Sequence, residues 1–139
     1  MKFRNLLFIS IVFPVLSMAQ ISDTQIPSKV QQYFKMNRKG PTLVSTEVVN
    51  NHQSGRTIKL KIVANRNSKG KDLAFAFAAA AAVINRADKP FELIWVEMDI
   101  NFKDLETTMV IAPAMCTIDA IILKNVDTDK WWEDCLQFP

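Results

Sequence analysis

The most regular alternation of hydrophobic and polar residues in this chain lies in the segment RTIKLKIV, residues 56–63. On an extended backbone Ile58, Leu60 and Ile62 would point to one side, and the lysines between them to the other. This pattern is typical of a β-strand with one buried and one solvated face. The preceding segment TLVSTEVV, residues 42–49, is rich in β-branched residues, and the turn sequence NNHQSG separates the two. We therefore predict a β-hairpin with a loop longer than two residues.

A second pattern is the segment LAFAFAAAAAVI, residues 73–84, in which no side chain carries a polar atom. Alanine has the highest intrinsic helix propensity, so the segment is predicted to be helical. It is too short for a transmembrane helix, which needs about 20 apolar residues, and charged residues flank it on both sides. A helix that is apolar almost all round must be covered on more than one side. We expect it to lie on a sheet in the core, with a subunit contact through its alanine face as the alternative.

The longest predicted strand is FELIWVEMDINF, residues 91–102, whose second half alternates hydrophobic residues with Glu97 and Asp99. Trp95 would point to the same side of this strand as those two carboxylates. After a short turn, the segment TTMVIA at residues 107–112 would return as its antiparallel partner. The segment TIDAIIL at residues 117–123 would then form the last strand. Short helices are predicted near both ends of the chain, in SKVQQYFKMNRKGP and in NVDTDKWWEDCLQF.

The predicted elements follow the order helix, two strands, long helix, three strands and short helix. Strands joined by short turns favour antiparallel pairing, and this order differs from the regular alternation of a doubly wound fold. The sequence thus predicts an α+β fold: an antiparallel sheet of about five strands, one long alanine-rich helix packed on a face, and short helices at both ends. This two-layer sandwich would be a single small domain formed by residues 20–139.

The first residues, MKFRNLLFISIVFPVLSMAQ, have the three parts of a secretory signal peptide. Lys2 and Arg4 form the positive start, residues 6–16 form the apolar segment, and small residues precede a cleavage point after Ala19. We therefore expect residues 1–19 to be a signal peptide and the mature chain to be exported. A periplasmic and an extracellular location both remain open, and no stable membrane span is expected in the mature chain.

Removal of the signal peptide would also change the charge balance. The whole chain has 17 Lys and Arg against 14 Asp and Glu, and a formal net charge of +3. Without Lys2 and Arg4, 15 basic residues remain against 14 acidic ones. A chain so close to neutral lacks the overall basicity of nucleic-acid-binding proteins, so no nucleic-acid partner is expected.

The chain contains two cysteines, Cys116 and Cys135. An even pair in an exported protein is typical of a disulfide bond, with two separate buried thiols as the alternative. A bridge that closes a loop of this size stabilises a fold by about 3 kcal/mol on the chain-entropy estimate. We expect it to fix the C-terminal tail to the rest of the domain.

Carboxylates offer one candidate for chemistry. Glu97 and Asp99 lie two residues apart on one predicted strand face, and Asp104 and Glu106 follow just beyond it. Such a cluster could bind a cation or act as an acid–base pair. It does not match a calcium loop, because Lys103 occupies a ligand position and the turn glycine is missing. A solvated strand end is the simpler interpretation.

Neither a metal site nor a cofactor site is predicted. His52 is the only histidine, it lies in a polar turn, and bridged cysteines do not bind metals. Cys116 could form a nucleophilic trio with His52 and Asp119 only if its thiol were free. The chain's glycines are isolated from one another, so no phosphate-binding loop is present in the sequence.

Two candidate binding surfaces remain. Lys59 and Lys61 share a strand face, and other basic residues near that strand's ends make this the main concentration of charge. Trp131 and Trp132 are adjacent on a predicted helix and would point about 100° apart, so that one packs inward and the other stays at the surface. Tryptophan is enriched among the residues that dominate binding energy.

These features favour an exported, non-catalytic accessory module that binds a protein or small ligand of the cell envelope. Lys59, Lys61, Trp131 and Trp132 would form its binding surface. One alternative is a small exported hydrolase or metal-assisted enzyme that uses Glu97 with Asp99, or Cys116. Another is a secreted inhibitor that presents loops to a protease. A homodimer is also left open.

Overall fold

The computed structural model describes residues 20–139 except residues 52, 54 and 102–104. The predicted signal peptide, the single histidine, Lys103 and Asp104 therefore lie outside the described residues. The α-helices and strands within that part are, in chain order, α1 (Ile26–Lys35), β1 (Thr42–Asn51), β2 (Gly55–Ala64), α2 (Lys69–Ile84), β3 (Leu93–Asn101), β4 (Leu105–Pro113), α3 (Ala114–Thr117), which continues into a π-helical turn (Ile118–Ile122), and α4 (Thr128–Asp134). Short 3-10 helices at Asp23–Gln25 and Arg66–Ser68 precede α1 and α2.

The α+β prediction is confirmed, and the sheet has four strands in the order β1-β2-β3-β4. The two outer pairs are antiparallel, as the predicted hairpin and the predicted return strand require. The central pair, β2 with β3, is parallel, so the sheet is mixed and the prediction of an antiparallel sheet was wrong at this position. The reason lies in α2, which carries the chain back across the sheet so that β3 starts at the same end as β2.

The predicted last strand at residues 117–123 is helical in the structure, which is why the sheet has four strands and not five. Pro113 provides the N-cap of α3, and its carbonyl oxygen accepts a hydrogen bond from Thr117 Oγ1 at 3.1 Å. Ala114, Thr117 and Ile118 are buried at helical spacing. A short apolar run fits a strand and a buried helix equally well, and here tertiary packing selects the helix.

Helix α2 is the centre of the helical layer, as predicted for the alanine-rich segment. Ala76, Ala79 and Ala80 have no solvent exposure, because β2 and β3 lie beneath the helix while α1 and the π-helical turn flank it. The ring of Phe75 contacts Phe34 of α1 edge-on, with the two centroids 5.1 Å apart. The alanine-rich helix is thus covered by its own chain. Among the described residues, no helix has the length and apolarity needed to cross a membrane.

An ion pair anchors the segment that precedes α1. Both terminal nitrogens of Arg56 donate hydrogen bonds to the carboxylate of Asp23, at 2.8 and 2.7 Å. The Arg56 guanidinium also lies 4.2 Å from the ring centroid of Phe91, and its Nε donates to the carbonyl oxygen of Pro90. The hydrogen bonds from Arg56 hold the pKa of Asp23 below its ordinary value of 3.8. At neutral pH Asp23 is therefore ionised and stays paired with Arg56.

Replacement of Asp23 by asparagine is expected to lower the free energy of unfolding by about 1 kcal/mol at neutral pH, a modest value because the pair is partly solvated. Since the folded-state pKa is below 3.8, the contribution of the pair is complete above about pH 4 and is lost as the pH falls through the folded-state pKa. Urea unfolding of both proteins across the acid range measures this difference. Asp88→Asn, which removes an exposed carboxylate near Arg56, is the control. A gap between wild type and Asp23→Asn that stayed constant down to the most acidic pH would contradict the assignment.

The C-terminal segment is fixed to the domain by a disulfide bond, which confirms the predicted pairing of Cys116 with Cys135. The bridge joins α3 to the end of α4. Beyond it, Gln137 exchanges two backbone hydrogen bonds with Ile111, at 2.9 and 2.8 Å, and so pairs with the outer edge of β4. These contacts place the C-terminal residues beside β4, at one edge of the sheet.

Candidate functional site

The helices of the described residues pack on one face of the sheet, and we call the other side the open face. On β2 the side chains toward the helices, Ile58, Leu60 and Ile62, are fully buried, while Lys59 and Lys61 between them are half-exposed. The same alternation on β3 directs Trp95, Glu97 and Asp99 to the open face. The open face further comprises Ser45, Glu47, Val49, Val63, Leu93, Thr107, Met109 and Ile111.

The parallel register of β2 and β3 brings together two groups that the sequence analysis treated as separate. Lys59 lies directly beside Trp95, and Lys61 beside Glu97. The ammonium of Lys61 is 3.3 Å from a carboxylate oxygen of Glu97 and 3.8 Å from one of Asp99. The predicted basic strand and the predicted carboxylate pair are therefore one cluster of alternating charge.

Asp99 is the most enclosed of these charged groups, since its side chain is only 14% exposed. Besides the contact with Lys61, its other carboxylate oxygen accepts a hydrogen bond from Thr107 Oγ1 at 2.8 Å. Its oxygens are engaged with neighbouring side chains, which suits a fixed polar surface.

Trp95 is the residue that the sequence analysis did not select. Its ring lies under the ammonium of Lys59, with 4.8 Å between the nitrogen and the ring centroid. The indole nitrogen donates to the sulfur of Met109 at 3.1 Å, so the ring is held from both sides. The strand alternation already placed Trp95 on the same face as Glu97, but its neighbour Lys59 is 36 residues away in sequence. Only the strand register reveals this contact.

The open face divides into a charged part and an apolar part. Glu47, Lys59, Lys61, Glu97 and Asp99 occupy β1, β2 and the second half of β3. The apolar part lies on the first half of β3 and on β4, and consists of Leu93, Trp95, Met109 and Ile111, all half-exposed. A sheet face that only meets water is usually polar, so the apolar part is the unusual feature.

One small depression lies in the charged part of the open face. A depression of about 100 Å³ is lined by side chains of Ser45, Glu47, Lys59, Lys61 and Glu97, together with Leu60. Pockets that enclose small molecules usually measure about 300–1,000 Å³. A depression of this size accommodates a single protruding side chain, so the geometry is suited to a protein surface.

The two adjacent tryptophans are separated from the open face, and the structure gives them different environments. Trp131 is fully buried, with its ring 5.7 Å from that of Phe77 and its indole nitrogen donating to Thr117 Oγ1 at 3.1 Å. Trp132 is 36% exposed and contacts Trp131 edge-on. Of this pair, only Trp132 presents a ring to solvent.

The structure also shows which groups contact the residues of the enzymatic alternative. Cys116 is bonded to Cys135, so its sulfur is not a thiolate in this state. Glu97 and Asp99 share the ammonium of Lys61. Within the described ranges, no group of three or more His, Cys, Asp or Glu side chains is placed to hold a metal ion.

A larger groove, of about 500 Å³, lies where β2 leads into α2. It is bordered by Lys39, Arg66 and the buried carboxylate of Asp72. Asp72 accepts hydrogen bonds from the backbone nitrogen of Asn65 at 3.0 Å and from Ser68 Oγ at 3.3 Å. The helix start is thus already supplied with a negative charge by the chain itself, which disfavours a bound anion.

No protein-family model matches this chain, and comparison with curated proteins and with solved structures finds no significant similarity.

Proposed function

We propose that this chain is an exported, non-catalytic accessory module that binds another protein of the cell envelope through the open face of its sheet. The signal-peptide pattern of residues 1–19 supports export. The disulfide between Cys116 and Cys135 is compatible with an oxidising compartment such as the periplasm or the extracellular space. The mature protein would then begin at Gln20, and its intact mass in the envelope fraction tests this.

The observation that carries the proposal is the apolar part of the open face, centred on Trp95. A half-exposed tryptophan that is held in place by Lys59 and Met109 loses little conformational freedom when a partner covers it. Ile111, directly opposite Trp95 on β4, and Leu93, two residues before it on β3, extend the apolar contact. A central aromatic residue with a polar surround is the usual composition of a protein-binding surface.

The charges on the open face favour a protein partner over a polyanion. Glu47, Glu97 and Asp99 carry three negative charges, against two positive charges on Lys59 and Lys61. A nucleic acid or an anionic membrane surface would be repelled by the carboxylates that flank Lys61. A partner surface with charges of both signs can pair with each group in turn.

Affinity capture from the envelope fraction tests the proposal with a matched pair of variants, Trp95→Ala on the open face and Trp132→Ala outside it. We expect Trp95→Ala to weaken binding of the captured protein by about 30-fold, the loss of about 2 kcal/mol typical of a central aromatic contact. Trp132→Ala is expected to bind like the wild type. Binding is then measured with the purified partner, and circular dichroism verifies that both variants are folded. Equal affinity of Trp95→Ala and wild type would refute the proposal.

A further inference from the structure

Charge is distributed unevenly along the chain after the predicted cleavage point. Residues 20–113 contain 13 Lys and Arg against 9 Asp and Glu, while residues 114–139 contain 2 against 5. A nearly neutral chain is therefore divided into a basic part, with a net charge of +4, and an acidic part of −3. Such an asymmetry creates an electrostatic dipole if the two parts lie on opposite sides of the molecule.

The acidic part also presents most of the exposed large hydrophobic side chains. Five of the seven in the described ranges lie within residues 114–139, which we call the C-terminal cap; they are Met115, Leu123, Val126, Trp132 and Phe138. The disulfide and the buried ring of Trp131 fix this segment to the core. The exposed apolar groups are thus attached to a rigid support, which lowers the entropic cost of binding.

The complementary surface lies at the end of α1. Lys35, Arg38 and Lys39 are all exposed there, and Met36 between them is 82% exposed. No acidic residue occurs in residues 24–46, so no carboxylate lies close to these basic residues in the sequence. We call these four residues the basic flank. It combines positive charge with one protruding apolar side chain, whereas the C-terminal cap combines negative charge with apolar side chains.

The two surfaces lie on opposite sides of the molecule. Helix α1 packs against β1 and against one side of α2. The C-terminal cap packs against the other side of α2, where Trp131 meets Phe77, and against the outer edge of β4. Because β1 and β4 are the two edges of the sheet, the basic flank and the C-terminal cap are separated by its full width.

We propose that the partner for the C-terminal cap is the basic flank of a second copy of this chain. If a second copy is shifted in the plane of the sheet, perpendicular to the strands, α1 of one copy lies beside α4 of the next. Opposite charges then meet, and Met36 reaches the apolar residues of the cap. A two-fold arrangement of either surface on itself would juxtapose like charges, so the association is head-to-tail.

The strand edges agree with this arrangement. The outer edge of β1 has no strand partner among the described residues, and its sequence TLVSTEVVNN contains neither lysine nor proline and only one charge, Glu47. Natural edge strands usually carry such residues to prevent pairing between molecules. The same translation brings the edge of β1 toward the segment that contains Gln137, which lines the edge of β4 in the neighbouring copy. The unpaired edge of β1 in one copy thus lies next to the extended segment around Gln137 in the other.

This inference is independent of the proposed function, since the open face takes no part in it. Trp95→Ala is therefore expected to leave self-association unchanged. Conversely, loss of self-association would leave capture through the open face intact.

Sedimentation velocity of the mature protein, at concentrations up to about 1 mM, tests the self-association. The flank variant is Lys35→Glu with Arg38→Glu, and the cap variant is Leu123→Glu with Trp132→Glu. Arg86→Glu with Lys89→Glu, which reverses two exposed charges beyond the end of α2, is the matched control. We expect wild type and control to associate at about 0.15 M salt and to dissociate at about 1 M salt, where the Debye length falls from about 8 Å to about 3 Å.

Mixing the two variants separates a head-to-tail contact from every symmetric one. Each variant alone is expected to be monomeric, because one of its two surfaces is blocked. In an equimolar mixture the intact flank of the cap variant meets the intact cap of the flank variant, so a dimer forms and nothing larger. A monomeric wild type at all concentrations, a variant that still associates alone, or a mixture that stays monomeric would each overturn the inference.

Discussion

Replacement of Trp131 by alanine is expected to lower the free energy of unfolding by about 3–5 kcal/mol, the range measured when a large buried aromatic residue is truncated. The side chain has no solvent exposure, and its ring packs against Phe77 of the central helix. Truncation also removes the donor to Thr117 Oγ1, the hydroxyl that donates in turn to the carbonyl of Pro113. The loss would combine an apolar cavity with a broken hydrogen-bond chain.

The neighbouring tryptophan provides the control. Trp132 is 36% exposed and contacts the ring of Trp131 edge-on. We expect Trp132→Ala to cost about 1 kcal/mol or less, as is usual for a surface substitution. Chemical unfolding of both variants and of the wild type measures the two differences. Equal destabilisation by the two substitutions would contradict the different environments that the structure gives these residues.

Removal of the disulfide bond is expected to have the second-largest effect. The double variant Cys116→Ser and Cys135→Ser should lose about 3 kcal/mol, because the unfolded chain is no longer constrained by the loop between residues that lie 19 apart. The cross-link attaches α4 to α3, so the C-terminal cap should become the first region to exchange its amide protons.

A reducing agent gives the matching measurement without a substitution. The unfolding midpoint of the wild type should fall toward that of the double variant when reductant is added, and the midpoint of the double variant should not change. If reductant left the wild-type midpoint in place, the bridge would not contribute to stability. Hydrogen exchange monitored at Trp131 and Leu136 reports whether the effect is local to the cap.

The elements with a strong periodic signal were predicted correctly. The alternation around Ile58 and Leu60 gave the half-buried strand β2, and the alanine run gave α2. Both patterns arise from burial on defined faces, which local sequence records directly. The pairing of the two cysteines was also predicted, because an even pair of cysteines after a predicted signal peptide is typical of a disulfide bond.

The errors came from features that local sequence does not record. The segment at residues 117–123 consists largely of β-branched and apolar residues, and it is helical where it packs beside α2 and follows the bridged Cys116. The parallel pairing of β2 with β3 depends on how α2 crosses the sheet, which short-turn statistics do not describe. Both differences between the predicted and the observed fold therefore arise from contacts between segments that are distant in sequence.

In the candidate site, too, the residues could be predicted from local sequence but their contacts could not. Lys59 and Lys61 were selected for their charge, and Glu97 and Asp99 for their spacing. Their association as one cluster follows from a register between distant strands. Trp95 was placed on the correct face, yet its contact with Lys59 depends on that same register. The residue types of the site can be read from the sequence, and their combination requires the fold.

The most direct test of binding through the open face is lysine labelling followed by mass spectrometry, with and without the captured envelope protein. We expect Lys59 and Lys61 to lose reactivity when the partner is bound, while Lys71 and Lys89, which lie away from the open face, react as before. Unchanged labelling of Lys59 and Lys61 in a complex that protects other lysines would contradict it.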